Sequence, residues 1–266
     1  YGAACGIEAP PEHLADVYIR PYYAIPLKKS EKSSPLSNKL VLSSIDKLLC
    51  LKEATETLSR IHSIGYCHTD AHLGNIYYDV DKFDERITVL ADFDLACPSG
   101  TCYKREKATC RPTSDYSMNG PQAKVTPYCD LATVAFNLLE ILDIPCEDEL
   151  WETCIKYLCR LYDDLENGVY LDFEPYARRY FKDFNSYDPL YKRACKAFHD
   201  AQVESFVSCS NGDTSSDMEK ICLLIEEIID RKREKAHSFN SLSDPKIVEK
   251  RFSLDSLSPV IFHSSL

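Results

Sequence analysis

The stretch IHSIGYCHTDAHLGNIYYDVDKFDERITVLADFDLACPSG, from Ile61 to Gly100, constrains this chain more than any other. It prescribes an architecture and gathers reactive groups at once. Apolar side chains recur at helical intervals between Leu40 and Ile64, notably Leu48, Leu51, Leu58 and Ile61, and Gly65 stands where a C-terminal cap belongs. One long helix, or two, is expected to end there. Ile76 to Tyr78 and Ile87 to Leu90 are short β-prone runs separated by the charged, turn-like DVDKFDER, so they should pair as a hairpin. A helix end, a polar loop and a hairpin in succession bring Asp70, Asn75 and Asp92 together.

Two carboxylates and an amide suit phosphoryl transfer. An acceptor hydroxyl needs a carboxylate to orient it and take its proton, and a triphosphate needs Mg²⁺ held by oxygen ligands before its charge can be approached. Asp70, Asn75 and Asp92 supply these groups.

Before this stretch, DVYIRPYYA (Asp16 to Ala24) reads as an extended segment interrupted by Pro21, and the polar linker KKSEKSSPLSNK follows. After it, residues 97 to 128 lack periodicity and are longer than a structural connector needs. Asp130 opens DLATVAFNLLEIL, apolar nearly all round and therefore a central buried helix. Helical patterns continue over Glu149 to Leu165, Tyr176 to Phe184, Pro189 to Phe206 and Met218 to Ala236. A Ser-rich, loosely ordered tail is expected over residues 237 to 266.

The 266 residues are 44% hydrophobic, enough for a sizeable core. A net charge of -11 argues against general affinity for nucleic acid or anionic membranes, which require a basic surface. No apolar run approaches the roughly 18 residues of a membrane helix, so no membrane insertion is expected. The 13 cysteines contain no C-x-x-C and form no recognisable disulfide or zinc ladder, which reads as reduced, buried thiols in a cytoplasmic protein. The loop trio Cys97, Cys102 and Cys110 lacks a fourth partner and is assigned no metal.

His68-Thr69-Asp70 with Asn75 five residues after the aspartate resembles the H-R-D-x-x-x-x-N catalytic loop of protein kinases, and Asp92-Phe93-Asp94 resembles their D-F-G. The resemblance implies an α+β, protein-kinase-like fold, with a mainly helical C-terminal lobe over residues 26 to 236 that carries a catalytic-loop hairpin. It implies ATP and Mg²⁺ as cofactors and a protein substrate, serine or threonine before tyrosine. Asp70 would then be the base, Asn75 and Asp92 the magnesium ligands, and His68 and Phe93 packing supports. Asp130 resembles the aspartate that starts the buried helix and braces the catalytic loop through its backbone amides. VYIRPYYAIPL resembles the last small-lobe strand and the hinge that meets adenine, which brings Tyr22 and Tyr23 into the nucleotide site and makes residues 1 to 25 the remnant of a small lobe.

Several positions depart from that pattern. Thr69 replaces the arginine that grips a phosphorylated activation loop, and Gln122 replaces the glutamate of A-P-E. His72 stands where serine/threonine kinases place a lysine that meets the transferred phosphate. The resulting H-x-D-x-H-x-G-N resembles aminoglycoside phosphotransferases, choline kinases and the ubiquinone-linked atypical kinases, so a small-molecule kinase is the alternative. No glycine-rich loop or V-A-I-K lysine precedes Asp16. Beginning at Tyr1, the chain is expected to lack most of the small lobe through truncation; a catalytically impaired pseudokinase scaffold is the third reading.

Overall fold

Ser43 starts the first helix among the described residues by turning its hydroxyl onto the amide of Asp46 at 3.1 Å, an N-cap completed by an acidic first turn. That helix, α1 (Ser44–Ser63), is a single rod whose buried stripe includes Leu48, Leu51, Leu58 and Ile61, the spacing read from the sequence. It stops at Ile64, and Gly65 follows with φ +81°, a left-handed backbone that favours a residue without Cβ. The computed structural model describes residues 34–37, 42–80, 86–101, 125–144, 150–169, 172–207 and 213–242. Tyr22 and Tyr23, with the rest of residues 1 to 25, lie outside them.

β2 (Tyr66–Cys67) leads from α1 into the polar loop, and the hairpin of β3 (Ile76–Val80) and β4 (Arg86–Leu90) follows, antiparallel with Ile76 opposite Leu90 and Val80 opposite Arg86. β1 (Ser34–Pro35), inside the segment read as a polar linker, adds a third strand beside β3. Its edge position tolerates Pro35, which has no N–H to give a ladder. β5 (Cys97–Pro98) pairs with β2, so the stretch read as an aperiodic loop begins with a two-residue strand. Residues 102 to 124 lie outside the described residues.

α2 (Pro127–Leu142) starts three residues before Asp130, with proline at its start where the absent N–H costs nothing. Fourteen of its residues are buried, Asp130 and Asn137 among them. It packs against α1 and against α5 (Pro189–Val207), where the rings of Phe136 and Phe198 lie 6.1 Å apart. α6 (Ser215–Leu242) closes over α1. Its six residues past Ala236 put a helix where the tail was expected to begin; residues 243 to 266 lie outside the described residues.

α3 (Leu150–Glu166) and α4 (Phe173–Tyr180) complete the helical layer. The helix expected over Tyr176 to Phe184 is displaced. Asp172 caps α4 by accepting from the Glu174 amide at 3.4 Å, Phe181 turns extended, and Asp183 at φ 55° starts a separate 3₁₀ turn, Phe184–Ser186. Tyr157 of α3 anchors this corner between the rings of Tyr176, Tyr180 and Phe198. The architecture is α+β and mostly helical.

Candidate active site

Asp130, fully buried one turn into α2, reaches back to the loop after β2. Its Oδ2 accepts from the His68 amide and its Oδ1 from the Thr69 amide, both at 2.7 Å. His62, at the end of α1, places Nε2 2.9 Å from the same Oδ2, while its Nδ1 stands 3.1 Å from the Thr214 hydroxyl. Burial alone would raise the Asp130 carboxyl. The His62 hydrogen bond, the neighbouring imidazoles and the His68 amide outweigh it and hold the group below the ordinary carboxylate range.

These bonds explain an unusual backbone. Thr69 has φ 67°, a conformation that β-branched residues rarely adopt, and it is held there by Asp130 and by its own hydroxyl donating to the Leu95 carbonyl at 2.8 Å. The residue that departs from the arginine of the kinase pattern therefore ties the loop to the segment after Asp92.

His68 makes a second tie. Its Nδ1 accepts from the Asp70 amide at 3.3 Å, which leaves the proton on Nε2 to be donated to the Ala91 carbonyl at 3.0 Å. Its ring lies 4.5 Å from that of Phe93. Burial pushes the His68 imidazole down, against the nearby charges of Asp130 and Asp92 and the Ala91 hydrogen bond. A neutral ring is what the two contacts require, since a proton on Nδ1 would face the Asp70 N–H.

Asp70 and Asn75 meet directly. The Asn75 Nδ2 donates to the Asp70 carbonyl at 2.9 Å and to its carboxylate at 3.0 Å. Both partners are acceptors, so the amide's nitrogen faces Asp70 and its Oδ1 is left as the side chain's acceptor atom. His72 brings Nε2 to 3.8 Å from Asp70 Oδ1 and accepts the Gly74 amide on Nδ1 at 2.9 Å. A Cβ on Gly74 would sit 2.6 Å from the His72 ring, so the close approach needs glycine.

Asp92 stands at the hairpin's open end, beside Ala91, whose amide donates to the Asn75 carbonyl at 2.9 Å. It is exposed and has φ 62°. The structure therefore brings Asp70, His72 and Asn75 into contact and places Asp92 on the adjoining segment. Among the described residues, the one group of three His, Cys, Asp or Glu side chains with ligand atoms within 4.8 Å of one another is His62, Cys67 and Asp130. That cluster is braced by its own hydrogen bonds, and burial drives the Cys67 thiol well up, with the Asp130 charge adding to it.

His62 escaped the sequence reading, although its place six residues before His68, on the last turn of a helix, was a usable signal. Thr69 escaped because its task depends on a backbone angle. Neither a scan against models of protein families nor a search of curated proteins finds a match for this chain. No helix among the described residues is long and apolar enough to cross a membrane.

Proposed function

We propose that this chain is the catalytic lobe of a protein-kinase-like phosphotransferase that moves the γ-phosphoryl group of ATP to a protein hydroxyl, serine or threonine in preference to tyrosine. The observation that carries this reading is the pinning of Asp70 by Asn75 within a loop that Asp130 holds from the buried helix. Such a loop presents a preorganised carboxylate, and preorganisation is most of what a protein contributes to phosphoryl transfer.

Asp70, with 16% of its side chain exposed, would orient the acceptor hydroxyl and take its proton on a carboxylate oxygen. The donors nearby are hard oxygens, the Asn75 amide oxygen and the Asp92 carboxylate, and they fit a divalent cation such as Mg²⁺. Magnesium, when bound, supplies charge neutralisation on the nucleotide phosphates. His68 would keep the base and the Asp92 segment in register, and His72 would face the transferred group from beside Asp70.

Nucleotide binding to the full chain, followed by thermal shift with and without magnesium, tests the assignment. Magnesium-dependent ATP binding that Asp92→Ala abolishes and Asp70→Asn spares, with transfer lost in both, is the expected pattern. Binding indifferent to Asp92→Ala would reject the metal assignment, and no shift with any nucleotide would favour a scaffold without catalysis.

The His72 approach to Asp70 across Gly74 favours a second reading, a small-molecule phosphotransferase. Presenting peptides alongside amino-sugars and amino-alcohols separates the two, since transfer to the small molecules alone would remove the protein substrate.

A further inference from the structure

Cys67 and Cys97 stand directly opposite one another where β2 pairs with β5. Residues opposite in an antiparallel pair project to the same face, so the two thiols share one side of the ribbon. They meet there, since Cys97 packs against the small buried cluster of Cys67 and Val125. The Ser99 amide donates to the Gly65 carbonyl at 2.8 Å, which makes those two residues a hydrogen-bonding pair of the ladder. Two residues further along each strand, Cys67 and Cys97 form a pair of the same kind, and such pairs hold their Cα atoms about 5.5 Å apart. That separation is the one most disulfides span.

Neither thiol is engaged in a disulfide; Cys67 is fully buried and Cys97 partly exposed. An accessible sulfur with a sheltered one behind it suits an attacking and a resolving cysteine. Burial, with the Asp130 charge adding to it, pushes the Cys97 thiol up to about 11 and drives the Cys67 thiol well up. Both are therefore protonated at neutral pH, and exchange through them is slow.

We infer that Cys67 and Cys97 form a disulfide under oxidising conditions, a modification that staples together the two ends of the stretch carrying Asp70, Asn75 and Asp92. With a small disulfide such as oxidised glutathione as the oxidant, the Cys97 thiolate attacks one of its sulfurs, expels a glutathione thiolate and leaves a mixed disulfide. The Cys67 thiolate then attacks the Cys97 sulfur and expels the second glutathione. The protein gives up two protons and two electrons, and the oxidant becomes two thiols. The bridge runs beside a tie already in place, the Thr69 hydroxyl on the Leu95 carbonyl at 2.8 Å, and so fixes the exit of β2 to the segment after Asp92 without rearranging it. Closing so long a stretch restricts the unfolded chain and stabilises the folded one. The strand register carries this inference, which does not rest on the phosphotransferase reading.

Oxidation of the full chain with oxidised glutathione, alkylation of the remaining thiols and peptide mapping by mass spectrometry test it. A crosslinked pair of peptides holding Cys67 and Cys97 is expected, formed faster as pH rises. The oxidised chain should melt several degrees above the reduced one, and dithiothreitol should reverse the gain. Cys97→Ser, at the partly exposed position, should remove both the crosslink and the gain. Cys129→Ala, which removes a buried thiol whose charge is felt at Cys67, should leave both in place. A crosslink made through Cys129 instead, glutathione retained on Cys97 with no crosslink, no oxidation of either thiol, or an oxidised chain that melts no higher overturns the inference.

Discussion

Asn75 donates its side-chain amide to Asp70 twice, to the main-chain carbonyl at 2.9 Å and to the carboxylate at 3.0 Å. The five-residue span between them is thereby closed by side chain as well as backbone, and the carboxylate loses rotational freedom. If the chain transfers phosphoryl groups as proposed, replacing Asn75 by Ala should lower transfer by more than tenfold through loss of both the orienting donor and the amide oxygen, whereas Asn75→Asp should place two carboxylates in contact and raise the magnesium requirement. Transfer rates as a function of magnesium concentration distinguish the two variants.

Removing the Asp130 charge should destabilise the fold. An amide in Asp130→Asn must turn its NH₂ toward one of the three donors that now share the two carboxylate oxygens, the amides of His68 and Thr69 and the ring of His62. Breaking a buried, charged hub of this kind costs about 3 kcal/mol. Denaturant midpoints of the two proteins provide the check, and a midpoint unchanged in the variant would deny Asp130 its bracing role.

Stability should depend on pH in two windows. His68 has its folded value depressed by burial, so the folded state binds fewer protons than the unfolded one as pH falls through the ordinary histidine range. The His68 contribution is thus complete above about pH 6.5 and is lost progressively below it. Asp130, also depressed, contributes above about pH 4 and loses its share as pH falls further. His68→Phe keeps a ring against Phe93 and should flatten the upper window while lowering stability throughout. An upper slope identical in the variant would assign it to another group.

Gly74→Ala should act on function more than on folding. The added methyl would lie 2.6 Å from the His72 ring, and the imidazole must swing away from Asp70 and from the Gly74 amide. Transfer is expected to fall at least tenfold with nucleotide affinity nearly intact. Comparison with His72→Ala gives the measurement: similar losses place the effect in the ring, and an unaffected Gly74→Ala variant denies it.

The hairpin's tie to α1 supplies a contrast. Glu53 accepts from Arg86 and, at 2.6 Å, from the Thr88 hydroxyl, holding β4 against the helix. Both charged side chains are partly exposed, so Glu53→Ala should cost only about 1 kcal/mol. Nucleotide binding should be unchanged, as isothermal titration can show.

Much of this arrangement was legible in the letters because it follows from periodicity. The stripe of Leu48, Leu51, Leu58 and Ile61, the all-round apolar face after Asp130 and the paired runs at Ile76 and Ile87 each repeat often enough to announce their geometry. The hydrogen bonds of Asp130 to the His68 and Thr69 amides join residues about 60 apart in the sequence and have no local period to announce them. Two-residue strands such as Tyr66–Cys67 and Cys97–Pro98 have no period to read. The left-handed backbone of Thr69 is imposed by tertiary bonds, against the preference of a β-branched residue. The start of α4 was signalled by Asp172 followed by Pro175, yet the aromatic run from Tyr176 to Phe184 suggested a later helix than the one that forms.

Because the carboxylate that shapes the Asp70 loop rides on a helix sheathed by α1 and α5, the loop inherits its form from the interior. An excised peptide spanning Ile61 to Gly100 would keep every reactive letter and lose the mould. Conversely, a modest repacking around Phe136 or Phe198 would travel through α2 and shift the reactive groups without touching them.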